Sequence, residues 1–226
     1  MSIKETQKNH SADKRKKQKR FFHKFIDSPV SYLIKWNISP NILSLGGFIG
    51  SFLASILIGL GFIHGNFFLA WIPPILIMVS GVLDVFDGEV ARRTEQVSPE
   101  GSFLDSNIDR VSDSVIIFGL VYGNLVHIIE GFLLLFLFIM ISYTRSRAEV
   151  EQVEMKGIGF LERAERLIIL IIALIIEIYI YAITDWINAD PYVCFFPIFI
   201  KFFILALIFT LGQRIFHIRK ILKTTP

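Results

Sequence analysis

Six apolar runs, each long enough to cross a bilayer, constrain this chain more than any other feature. They fall at about 43–62, 67–90, 101–125, 127–143, 167–184 and 192–212. A helix rises about 1.5 Å per residue, so roughly 20 residues span a hydrocarbon core of about 30 Å. The expected fold is an all-α integral membrane protein with six transmembrane helices. Hydrophobic residues make up 53% of the chain, and Phe alone contributes 22, more than a soluble core requires. Pro73 and Pro74 fall inside the second run and are expected to kink it.

Charge assigns the sides. Every Lys and Arg except Lys201 lies before the first run, after the second, after the fourth or after the sixth; the other three connections carry none. Basic residues mark cytoplasmic loops, so both termini are expected in the cytoplasm, with the protein multi-pass in the cell membrane. Residues 1–24 read as a basic cytoplasmic tail and not as a cleaved leader, because they contain no apolar stretch. The run KRKKQKR at 14–20 leans on anionic headgroups; without interleaved aromatics it gives no reason to expect nucleic acid. Residues 25–42 form a juxtamembrane segment, 43–214 the six-helix transmembrane domain, and 215–226 a second cytoplasmic tail. Cys194, the single cysteine, has no partner for an internal disulfide and reads as packing.

Against this background the stretch DVFDGEVARRTEQVSPEGSFLDSNIDR, residues 84–110, stands out, with seven carboxylates and three arginines between two apolar runs. Asp84 and Asp87 are i, i+3 on one helix face, and Asp105 and Asp109 are i, i+4 on the next. Four carboxylates therefore converge at the cytoplasmic end of neighbouring antiparallel helices. They repel unless cations sit among them, and each costs roughly 2.5–3.5 kcal/mol in hydrocarbon. Hard divalent cations, Mg²⁺, Mn²⁺ or Ca²⁺, suit such oxygen donors; no His or Cys is near enough to suggest zinc. Gly88 and Ala91 continue the Asp84 face, and Gly101 precedes Asp105 by one turn. These small residues let a ligand approach the backbone, with Arg92 at the rim for a phosphate.

The pattern Asp84-x₂-Asp87-Gly88-x₂-Ala91-Arg92-x₈-Gly101-x₃-Asp105-x₃-Asp109 resembles the signature of the CDP-alcohol phosphotransferase family of integral-membrane enzymes at every position. The resemblance implies that family's six-helix fold, a cytoplasm-facing site, and two divalent ions, Mg²⁺ or Mn²⁺. It implies Asp84, Asp87, Asp105 and Asp109 as metal ligands and Asp109 as general base. Asp84, Gly88, Ala91, Arg92 and Gly101 would bind the nucleotide of a CDP-lipid, CDP-diacylglycerol or CDP-archaeol. The stretch NISPNILSLGG resembles a further family element and adds Asn41 and Ser44 to the nucleotide pocket; helix capping by Ser39 and Asn41 is the plainer reading.

Two phrases bear on the acceptor, SYTRSRAEVE at 142–151 and GIGFLERAERLIIL at 157–170. They resemble elements of the branch that makes phosphatidylinositol phosphate and archaetidylinositol phosphate, and FTLGQRIFHIRK adds a further arginine. That resemblance implies myo-inositol phosphate as acceptor, its phosphate held by Arg145, Arg147, Arg163, Arg166 and Arg214. Guanidinium groups grip phosphate in bidentate fashion. Glycerol 3-phosphate is the alternative acceptor; serine gives no reason for an arginine cluster. A cation transporter would carry acids near the midplane and internal repeats, and neither is present. Asp113, one turn beyond Asp109, reads as structural; Glu130, Glu177, Asp185 and Asp190 read as interfacial. Lys201 either snorkels outward or pairs with Glu177. His10, His23, His64, His127 and His217 have no ligand spacing. Gly46-x₃-Gly50 is a helix-packing motif consistent with a homodimer.

Overall fold

The structure is a computed structural model that describes residues 26–155, 157–187 and 195–224; the KRKKQKR run, His10, His23, Lys156, Asp190 and Cys194 lie outside them. All regular structure in the described residues is helical. In chain order the helices are α1 (26–35), α2 (Pro40–Gly59), a 3₁₀ turn (Phe62–His64), α3 (Phe67–Ala70), α4 (Ile72–Arg93), α5 (Pro99–Tyr122), α6 (Ile128–Val150), α7 (Arg163–Trp186) and α8 (Phe195–Thr224).

Local chemistry sets most boundaries. Proline occupies the first turns of α2, α4 and α5, where a missing N–H costs nothing. Pro73 and Pro74 fall inside the candidate span Phe67–Arg93, next to the point where its helix is interrupted. The chain breaks at Trp71, between α3 and α4, and the prolines begin the new helix. Ser98 caps α5, its hydroxyl accepting from Gly101 N–H at 3.0 Å. His127 caps α6 through its ring nitrogen, a use its spacing did not suggest. Glu162 and Glu165 form a capping box at the start of α7. Ser39 occupies the N-cap of α2 in extended conformation without a side-chain cap bond.

Five helices are long and apolar enough to cross a membrane: Pro40–Gly59, Phe67–Arg93, Ile128–Val150, Arg163–Trp186 and Phe195–Lys223. The expected six is thus five by this measure. The missing one is α5, which at 24 residues is about 36 Å long but carries Asp105, Asp109 and Arg110 in its first half and Asp113 just beyond it. Helix ends also move. α6 continues to Val150 and carries the arginine phrase as helix, not loop. α8 runs through Thr224, so Arg214 and Arg219 are helical where a tail was expected from 215.

Close backbone approach holds the bundle together. α2 packs against α4 and α5, α6 against α5 and α8, and α7 against α4 and α8. A Cβ on Gly47 would lie 3.2 Å from Ser80 O, and one on Gly119 2.5 Å from Ser55 O. Serine hydroxyls join the same seams: Ser51 and Ser80 share a hydrogen bond at 2.7 Å, and Ser55 donates to Val115 O. Gly46 and Gly50 face Leu83 and Leu76 of α4 at 3.5 Å. The small-residue motif is therefore used inside the chain and gives no support to a homodimer.

Two other expectations are corrected. Glu177, expected at the interface, is buried inside the bundle at 1% exposed, and its oxygens accept from His64 Nε2 at 2.9 Å and Phe196 N–H at 2.8 Å. His64, which also stacks on Tyr181, is therefore not incidental. Lys201 is exposed, and the carboxylate it was a candidate to meet is already bonded by those two groups.

Candidate active site

The antiparallel neighbours α4 and α5 bring their acids together as the helical periods require. One carboxylate oxygen from each of Asp84, Asp105 and Asp109 lies within 4.8 Å of the others. Asp87 stands one turn further along α4. It is 5% exposed and turned to α2, where Ser44 donates to its Oδ2 at 2.5 Å. Thus Ser44 reaches the site through an acid.

A cavity of about 1100 Å³ opens beside the trio. Its polar side is lined by Asp84, Asp105, Asp109, Asp113 and by Arg110, Arg145, Arg163, Arg166 and Arg214; Ile77, Met78, Val82, Leu167, Ile168 and Ile171 make its apolar wall. A cavity with one charged and one greasy wall can hold an amphiphile.

Arg163, the first residue of α7, enters the acid cluster directly. Its Nη1 lies 2.9 Å from Asp84 Oδ2 and 2.8 Å from Asp109 Oδ1, and its Nε 3.6 Å from Asp113 Oδ1. Arg166 is 2% exposed, stacks on the Phe138 ring at 4.3 Å and approaches Asp113 Oδ2 at 3.6 Å. Arg214, 4% exposed, donates from Nη1 to Ile141 O at 2.7 Å and from Nε to Ile158 O at 3.1 Å. Two buried guanidinium groups are thereby held by backbone and ring contacts that leave other N–H groups toward the cavity. Arg145 lines the cavity while pairing with Glu149 at 3.0 Å.

The other expected residues sit apart from this lining. Arg147 pairs with Glu151 at 2.5 Å on the exposed side of α6. Gly88 is covered by the guanidinium of Arg92, which lies 3.5 Å from where a Cβ would be. Arg92 and Arg93 both hold Glu89, each at 2.8 Å, and Arg93 also ties Asp27 of α1 to α4. Ala91 does not line the cavity, Gly101 N–H is engaged by Ser98, and Asn41 is exposed. Asp113, expected to be structural, sits on the cavity wall between two arginines. Its place on the Asp105–Asp109 stripe was the available signal. Ser142 and Glu162 also line the cavity; each lies in one of the two phrases that bear on the acceptor, where only the arginines were singled out.

The donor set fits a hard divalent cation. Only carboxylate oxygens converge, and Asp109 Oδ1, though buried, is in ionic contact with Arg163 without a hydrogen bond from any described residue. Such an oxygen retains the lone pair a metal needs.

Residues 37–212 match the family described as CDP-alcohol phosphatidyltransferase. The chain belongs to that family and is an enzyme of it. Among its relatives, an archaetidylinositol phosphate synthase of Pyrococcus horikoshii is 42% identical over 161 residues, covering 69% of this chain and 82% of that one. A phosphatidylinositol phosphate synthase of Cutibacterium acnes is 31% identical over 196 residues, covering 83% and 89%. The solved phosphatidylinositol phosphate synthase of Mycobacterium tuberculosis shares the fold. With CDP-DAG bound it superposes at a TM-score of 0.65 with 22% identity, over 86% of this chain and 94% of that one. Its complex with manganese and citrate gives 0.63 and 23%, over 84% and 86%. The family's fold is therefore this chain's fold.

Proposed function

We propose that this enzyme transfers the phosphatidyl or archaetidyl group of a CDP-activated lipid to myo-inositol phosphate and releases CMP. The observation that carries the reading is the single cavity in which three converging carboxylates, buried arginines and an apolar wall meet. A lipid pyrophosphate and a water-soluble phosphorylated alcohol need those three surfaces together. The naming of relatives as inositol phosphate synthases supports the acceptor.

The reaction is a substitution at phosphorus. The acceptor hydroxyl attacks the lipid-bearing phosphorus, the P–O bond to CMP breaks, and the hydroxyl proton passes to Asp109. Two divalent ions, Mg²⁺ or Mn²⁺, held by Asp84, Asp105 and Asp109 with Asp87 beside them, would neutralise the pyrophosphate and the leaving CMP. Ser44 orients Asp87. Arg145, Arg163, Arg166 and Arg214 bind and orient the acceptor phosphate, and Arg92 with Gly88, Ala91, Gly101 and Asn41 borders the nucleotide. The wall from Ile77 to Ile171 takes the start of the lipid chains. α5 is the sixth span, both termini are cytoplasmic, and the cavity opens to that side.

The test is CMP release by the purified protein with a CDP-lipid and Mg²⁺, comparing inositol 1-phosphate, glycerol 3-phosphate and free inositol. Release with inositol phosphate alone is expected. Release with glycerol 3-phosphate alone would reject the acceptor and keep the chemistry. Asp109→Asn should lower kcat by at least about 100-fold, the scale of a lost general base, while nucleotide still binds; full kcat in that variant would remove Asp109 from the proton-transfer role.

A further inference from the structure

Arg163 stands between two kinds of carboxylate. On one side its Nη1 contacts Asp84 Oδ2 at 2.9 Å and Asp109 Oδ1 at 2.8 Å, and both acids belong to the converging trio. On the other side its Nε faces Asp113 Oδ1 at 3.6 Å, and Arg166 faces the other Asp113 oxygen at the same distance. Arg163 Nε and Asp113 Oδ1 are buried and without a hydrogen bond from any described residue. Half of this guanidinium is thus engaged by the trio, while the other half lies one short movement from a buried acid whose Oδ1 accepts no hydrogen bond from any described residue. As the first residue of α7, Arg163 also has no preceding helical turn to fix its side chain.

Three carboxylates within 4.8 Å of one another need positive charge, and Arg163 supplies it. A divalent ion on the same oxygens would face a like charge about 3 Å away. Resting on the divalent site proposed above, we infer that Arg163 is a built-in counter-ion of the carboxylate trio that a divalent cation displaces, and that Asp113 receives the displaced guanidinium. Arg163 then turns from the metal ligands into the cavity that Arg166 and Arg214 already line. Cation loading therefore completes the grip on the acceptor phosphate, and the two events are linked through one side chain. By linkage, each ligand strengthens the other. Asp113 acts here as a positioning residue, holding Arg163 through its guanidinium without touching cation or substrate.

The experiment is a Mn²⁺ titration of the purified full-length protein without substrates, followed by calorimetry or by the EPR signal of free Mn²⁺, so that no activity enters the readout. An occupied site lowers apparent affinity by the fraction of molecules in which it is free. If Arg163 holds the trio in about nine molecules of ten, Arg163→Gln binds Mn²⁺ about tenfold tighter. Arg163→Lys, which restores the charge, returns most of the way to wild type. Asp113→Asn, which removes the alternative partner, weakens Mn²⁺ at least about threefold by the same fraction argument. Arg145→Gln, a charge-matched change in the same cavity, moves it by less than about twofold because Arg145 pairs with Glu149. Should Asp113→Asn fail to fold, the comparison of Arg163→Gln with Arg145→Gln carries the test. Unchanged or weaker Mn²⁺ binding in a folded Arg163→Gln overturns the inference. Equal tightening in Arg145→Gln overturns it too, since a general field and not occupancy would then be responsible. Absence of Mn²⁺ binding in the wild type would instead reject the divalent site itself, and this inference with it.

Discussion

Gly119→Ala should disable this enzyme from a position far from its acids. Gly119 lies on α5 where that helix crosses α2, and an added Cβ would sit 2.5 Å from Ser55 O, 2.7 Å from Ser55 Oγ and 2.8 Å from Ser55 Cα. Two of these atoms are backbone, so no rotamer change relieves the clash. Reaching ordinary contact requires the helices to part by about 1 Å, and a gap of that size forfeits a quarter to a half of the dispersion attraction along the seam. Overpacking of this kind costs about 1–3 kcal/mol. For a chain of this length that is a fall in Tm of roughly 2–12 °C. Asp105 and Asp109 share the helix, and a displacement of about 1 Å at reacting groups costs on the order of 100-fold in rate. Thermal unfolding in detergent and CMP release at saturating substrates measure the two effects. Gly212→Ala is the control, because nothing lies within 4 Å of its Cβ position; there, replacing Gly within a helix should be neutral or stabilise by up to about 1 kcal/mol. A Gly119→Ala protein that melts and turns over like the wild type would refute the claim that backbone contact at Ser55 fixes α5.

Further outcomes separate residues that the sequence grouped together. Arg214→Ala should raise the acceptor KM at least tenfold (about 1.4 kcal/mol in binding), because its buried guanidinium borders the cavity from α8. Arg147→Ala should raise it far less, since that side chain pairs with Glu151 outside the lining; equal effects would contradict this division. Glu177→Gln replaces an acceptor of two hydrogen bonds with a side chain offering only one acceptor oxygen, so it should cost about 1–3 kcal/mol of stability. CMP release per folded molecule should be unchanged, because Glu177 lies about 21 Å along α7 from Arg163; a loss of turnover without a loss of stability would show coupling between the two ends.

The two acid pairs were legible because helical periodicity is a local rule, and spacings of three and four residues turn directly into faces. The same rule, applied over the full length of α6, would have separated Arg145 from Arg147. Two residues apart on a helix, they point to different sides. The grouping came from ending the span at 143, where hydropathy falls, although the helix continues to Val150. Asp113 was visible on its stripe and was expected to be structural; its partners, Arg163 and Arg166, arrive from α7, fifty residues downstream in the sequence. His64 and Glu177, 113 residues apart, left no local trace of each other. The prolines marked the right place but not its form: the helix of the second span is interrupted at Trp71, and Pro73 and Pro74 open its second segment.

Why α5 escapes a hydropathy criterion follows from the chemistry placed on it. Ser102, Asp105, Ser106, Asp109, Arg110 and Asp113 all line the cavity, and their spacings of three and four put them on one stripe. Off that stripe, Phe103, Leu104, Val111 and Phe118 are exposed on the outer surface of the bundle, as a lipid-facing side requires. Averaged around the helix the charges count against membrane insertion; taken by face, they contact the cavity and not hydrocarbon. The two antiparallel helices that supply the acids reach the same end by different routes. α4 meets the apolar criterion because its acids fall in its last three turns, whereas α5 begins with them and extends them to Asp113. The acid that lowers the hydropathy of α5 furthest into the helix is also the one against which Arg163 and Arg166 converge. If α5 is the sixth span, as proposed, it is recognised by its stripe and not by its mean.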